Sequence, residues 1–173
     1  ADETSSALTP TYTGASPAEY SVTFLDKKAR LEGFTDILNA PYTGSITIPM
    51  PLKPAGFFVS PGYYRIRVSL GNGNCAFEPL ESEFLVRYPS SIMCQKWGDV
   101  VALYNESVNG NFSFSDYSWD VLGKNVHQEH SPYLYSSLLE PGDQVVVSVT
   151  RKGETQAIPS CPLSITYYSN PDG

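Results

Sequence analysis

Two histidines, His127 and His130, flank Glu129 in the stretch NVHQEHS, and the chain has no others. On a helix, this i, i+3 spacing would bring both imidazoles to one face, where they could hold a metal ion. The neighbourhood reads as strand or loop instead, and on a strand residues three apart point to opposite faces. A shared ion would need an irregular turn there, so a solvated polar loop is expected and no metal ligand is assigned. Asp116 and Asp120, in SDYSWD, would share a strand face. Four strand residues separate them by about 13 Å, too far for the acid pair of a glycoside hydrolase.

The three cysteines, Cys75, Cys94 and Cys161, form neither a CxxC pair nor a zinc-finger spacing. None has a histidine close in sequence, and there is no G-x-S-x-G elbow, so no nucleophile is assigned. Cys94 and Cys161 lie near the first and last strands of the second half and are candidates for a disulfide. The alternative is buried free thiols packing as small apolar groups. No D-x-D-x-D run suggests calcium. An enzyme would need Cys94 or a serine to converge with His127 or His130 in one cleft, so the chain is expected to be non-catalytic and without a cofactor.

Aromatic residues are plentiful, with 12 Tyr, 8 Phe and 2 Trp. Tyr12, Tyr42, Tyr63 and Tyr133 stand in turn-rich stretches and are candidates for a sugar-stacking patch, though most tyrosines of a β-rich protein serve core or strand rim. Trp119 is placed like the buried tryptophan of an immunoglobulin-type strand and reads as a core anchor. Asn105-Glu106-Ser107 and Asn111-Phe112-Ser113 are formal glycosylation sequons that chiefly mark an exposed turn.

The net charge of −7 rests on only 11 Lys and Arg, which excludes the clustered cations that nucleic-acid binding requires. No apolar run approaches the roughly 20 residues of a membrane-spanning helix, and the opening ADETSSALTP lacks the basic and apolar parts of a signal peptide. An export signal or anchor is therefore expected to have been removed, and neighbouring domains of a longer polypeptide are expected.

The elements that must position these residues are strands. Tyr20, Val22 and Phe24 alternate, as do Ile46, Ile48 and Met50. GYYRIRVSL turns Tyr64, Ile66, Val68 and Leu70 inward, ESEFLVRY does so with Phe84, Val86 and Tyr88, and a GNGN hairpin joins the two. KKARLEGFTDI reads as one helical turn or an irregular crossover. At Pro89-Ser90-Ser91 the alternation breaks. Strands then recur at 100–104, 117–122, 144–150 and 163–168, with hairpin tips at LGKN and RKGE. With 173 residues, the chain accommodates two small domains, here 1–88 and 89–173.

QKWGDVVALYNESVNGNFSFSDYSWDVLGKNV at 95–126, SPYLY at 131–135 and TRKGETQAIPSCP at 150–162 resemble, in order, an immunoglobulin-like repeat module of large surface proteins of Bacteroides-type bacteria. AEYSVTFLDKKARLEGFTDI and VSPGYYRIRVSL look like the companion module. Trp119 departs from the module's pattern, being followed by Asp120, Val121 and Leu122 rather than by a second aromatic residue. The resemblance implies an all-β chain of two consecutive immunoglobulin-like β-sandwich domains, exported to the cell surface or the extracellular space. A structural or adhesive role is expected, spacing or displaying other domains or binding a protein or glycan partner, with exposed strand edges open to β-augmentation. The alternative is a carbohydrate-binding accessory module of a glycan-processing system, marked by a line of exposed aromatic side chains.

Overall fold

Strand alternation sets almost every element of the chain. The computed structural model describes residues 5–11, 16–54, 57–73 and 76–166. They form two compact units, the first holding the described residues up to Pro54 together with Val59–Val86, the second Phe57, Phe58 and those from Arg87 onward. The division falls before Tyr88 rather than after it. Tyr88 belongs to the second unit because its N–H donates to the Pro159 carbonyl at 3.1 Å and its backbone bridges Ser160 in parallel. Its ring packs edge-on against Phe58 and Phe112.

The first unit consists of β1 (Ser5–Leu8), β2 (Glu19–Phe24), α1 (Lys27–Leu31), β3 (Ile37–Pro41), β4 (Ile46–Pro49), β5 (Gly62–Gly71) and β6 (Leu80–Val86). Sheet order is β3-β2-β5-β6, with β1 and β4 paired separately, and every pair is antiparallel. Tyr20, Val22 and Phe24 of β2, Ile46 and Ile48 of β4, Tyr64, Ile66 and Val68 of β5, and Phe84 and Val86 of β6 form one buried core. The outward Arg65 and Arg67 of β5 pair with Asp26 and Glu81. Between β2 and β3 the crossover is the short helix α1, which buries Ala29 and is followed by a turn at Gly33, where φ is +92°. That turn lowers Phe34 onto Phe24, Tyr64 and Phe84 at ring separations of 5.0 to 5.5 Å.

In the second unit a 3₁₀ turn at Ser90–Ile92 precedes β7 (Met93–Trp97), β8 (Val100–Leu103), β9 (Phe114–Val121), β10 (His127–Glu129), β11 (Tyr133–Tyr135), β12 (Gln144–Arg151), β13 (Ala157–Pro159) and β14 (Leu163–Ser164). One sheet runs β10-β9-β12-β13 with β14 also on β12, and the other runs β11-β8-β7. Val101 and Leu134 of the smaller sheet are buried, as are Trp119, Val121, Val145, Val147 and Val149 of the larger. The LGKN and RKGE tips form as expected, with Gly123 and Gly153 at φ of +78° and +88°, a region costly for residues bearing a Cβ. Among the described residues, no helix is long and apolar enough to cross a membrane.

Candidate aromatic binding face

Strand β7 begins with Met93 buried and facing inward, and strict alternation would turn Gln95 and then Trp97 the same way. The ladder prevents this. Met93, Cys94 and Gln95 pair with Leu103, Ala102 and Val101, and the register then shifts so that Trp97 pairs with Val100. Lys96 and Trp97 together oppose a single residue, which is the arrangement of a β-bulge. Val101 is fully buried, so its neighbour Val100 faces outward, and Trp97 emerges beside it with 59% of its surface exposed.

Strand β11 supplies the rest of the face. Leu134 points inward at 1% exposure, so Tyr133 and Tyr135 point outward at 49% and 59%. Tyr135 pairs with Val100 and Tyr133 with Ala102. One row across the sheet therefore reads Trp97, Val100, Tyr135, with Tyr133 in the next outward row. Trp97 and Tyr135 stand two strand spacings apart, about 9.6 Å, and the two tyrosines are about 6.7 Å apart along their strand. Together with Lys96 and Gln128 these residues line an open depression of about 600 Å³.

Several interactions hold the rings in line. Gln128 pairs with Trp119 on the neighbouring strand and reaches across to β11. Its Nε2 donates to the Tyr133 carbonyl at 3.0 Å, and its Oε1 accepts from the Tyr135 N–H at 3.1 Å. The amide thus occupies backbone groups that an edge strand would otherwise offer to a partner. Trp119, fully buried, donates from Nε1 to the Ser131 carbonyl at 2.8 Å, anchoring the turn that leads into β11. At the far end the Ser136 N–H donates to the Asp99 carbonyl at 2.9 Å, tying β11 to the β7–β8 turn. Lys96 rests its ammonium 5.6 Å from the centre of the Tyr104 ring.

The histidines lie on the outer face of the other sheet. His130 adopts a φ of +59°, and this irregular backbone brings it to the same side as His127, so both imidazoles flank Glu129. His127 Nδ1 lies 2.8 Å from Asp120 and its Nε2 3.3 Å from Glu129, while His130 Nδ1 lies 2.7 Å from Asp116 and its Nε2 3.8 Å from Glu129. Hydrogen bonding to Asp120, then to Glu129, holds His127 above the usual imidazole range. Asp116 does the same for His130, whose hydrogen bond in turn lowers Asp116. These groups satisfy one another, and among the described residues no cluster of three or more His, Cys, Asp or Glu is arranged to hold a metal ion. Asp116 and Asp120 are engaged by separate histidines rather than paired with each other.

The other candidates disperse. Cys94 is a free thiol whose Sγ lies 3.6 Å from the Ala102 carbonyl, so the Cys94–Cys161 bridge is not formed. The reason lies in the residue that precedes each cysteine. Met93 and Ser160 face each other, with Ser160 Oγ 3.9 Å from Met93 Sδ, and alternation turns the following cysteines away. Tyr42 packs on the first core and donates its hydroxyl to the Gly44 carbonyl at 3.1 Å. Tyr63 stands exposed on β5 of the first unit. Tyr12 and Cys75 lie outside the described residues. Asn105 and Asn111 are exposed on a loop held by the buried Asn109, which bonds the Tyr104 and Phe112 backbone.

Of the expected sugar-stacking tyrosines among the described residues, Tyr42, Tyr63 and Tyr133, only Tyr133 lies on the aromatic face. Tyr135 follows from the Tyr-Leu-Tyr alternation around one buried leucine. Trp97 does not, because the bulge that turns it outward reverses its parity without a residue-type signature. No family model matches the chain, and no curated protein matches it.

Proposed function

We propose that the chain is a non-catalytic cell-surface pair of immunoglobulin-like β-sandwich modules that engages its partner through the aromatic face of the second module. Two features support the sandwich reading: each unit pairs its strands in two sheets with alternating inward residues, and Trp119 is buried with its indole hydrogen-bonded. The surface location rests on the resemblance of residues 95–126.

A single observation carries the binding role: Trp97 of β7 and Tyr133 and Tyr135 of β11, the two strands that flank β8, project into solvent. Exposing a tryptophan and two tyrosines together forgoes substantial apolar burial. Between the two partner classes, the face favours a carbohydrate. Flat rings stack on the C–H faces of sugars, and the Gln128 amide occupies the β11 edge that an extended peptide would use.

The test is a glycan array probed with the purified chain and with Trp97→Ala. Binding is expected, weakened about tenfold or more by the substitution, as for a central aromatic anchor. A blank array, or equal binding by the variant, would overturn the reading. Trp97 is exposed, so the variant should retain its circular dichroism spectrum.

A further inference from the structure

We propose that the aromatic face takes an acidic glycan, with a carboxylate-bearing sugar on the Trp97–Tyr135 platform and its anion on the Lys96 ammonium. This inference rests on the carbohydrate reading of the same face and adds the charge of the ligand.

Three observations lead to it. The first is the position of Lys96, since the bulge that turns Trp97 outward places Lys96 beside it at the lining of the depression. The second is its lack of a carboxylate. Arg30, Lys53, Arg65, Arg67, Lys124 and Arg151 each pair with an acidic side chain. Among the described residues Lys96, like Lys27, Arg87 and Lys152, has no such ion pair, and its ammonium rests on the Tyr104 ring. The third is the lining itself, which contains one cation and no acidic side chain, in a chain of net charge −7. Glu129, which follows the lining residue Gln128 on β10, is held by His127 and His130 on the outer face of the other sheet.

The chemistry is complementary at each point. Aromatic faces carry negative quadrupole density that meets the polarised C–H groups of a pyranose. The Tyr133 and Tyr135 hydroxyls can donate or accept at the rim of the platform. The ammonium supplies compact donors for a carboxylate, and it need break no existing ion pair to do so. A neutral sugar would use the rings alone.

Titration calorimetry of the whole chain with polygalacturonate, alginate and hyaluronate, each beside its methyl-esterified form, tests the proposal. At least one acidic polymer should bind more tightly than its ester, with a preference that shrinks toward 1 M salt as the charges are screened. Lys96→Met should weaken acidic binding about two- to fivefold, the scale of one exposed ion pair, and leave the ester unchanged. Trp97→Ala should weaken both. Equal affinity for acid and ester, with Lys96→Met without effect, would overturn the acidic ligand while leaving the carbohydrate reading standing. Failure of every polymer, alongside a blank glycan array, would overturn both.

Discussion

Each imidazole on the outer face of the larger sheet of the second unit is caught between carboxylates, so its protonation is linked to folding. Asp120 raises His127 and Asp116 raises His130. A histidine whose pKa is higher folded than unfolded binds its proton more tightly in the folded state. Its stabilisation is full below the unfolded value of about 6.5 and is lost as pH rises through the raised folded value. Asp116, lowered by the same pair, gives the opposite limit, with stabilisation present above about pH 3.9 and lost as pH falls through its lowered folded value. The pairs therefore act in mildly acidic solution. Urea midpoints for the wild type and for His127→Gln/His130→Gln should differ at pH 5.5 and converge by pH 9. A difference that stays constant over that range would contradict the assignment.

The elements carry two further consequences, one for the bulge in β7 and one for the clamp on β11. The chain has two tryptophans, and the bulge makes them opposites, with Trp97 in solvent and Trp119 in the core. In Trp119→Phe the remaining emission should be red-shifted and readily quenched by acrylamide, whereas in Trp97→Phe it should be blue-shifted and protected. The reverse pattern would mean that β7 keeps regular alternation. Gln128→Ala should cost about 1–2 kcal/mol by removing the amide's two bonds to the β11 backbone, and should expose the Tyr135 amide to faster hydrogen exchange. Unchanged exchange there would show that β11 is held by other means. Strands were legible in the longer runs that alternate over a buried face, as in Tyr20–Val22–Phe24 and Tyr64–Ile66–Val68. The short β10 and β13 escaped because three residues carry too little periodicity, and Trp97 escaped because a bulge reverses parity without changing composition.

At the scale of the whole molecule, the chain is all-β, built as two units that each close their own core, and the residues that first suggest chemistry are spent on structure. The histidines and acids neutralise one another, Trp119 anchors a turn, and Met93 and Ser160 take the place where Cys94 and Cys161 would have met. Alkylation of the denatured chain without reductant should label Cys94, and labelling only after reduction would contradict its free thiol. The candidate binding face was only partly legible, since Tyr133 is visible as an exposed tyrosine but its alignment with Trp97 and Tyr135 arises from strand pairing. The most direct test of that face is an amide and indole chemical-shift titration of the intact chain with a glycan that it binds. The predicted result is movement of the Trp97 indole and of the Lys96, Tyr133 and Tyr135 amides with the Trp119 indole still. Shifts centred instead on the first unit, around Tyr63, would contradict the account.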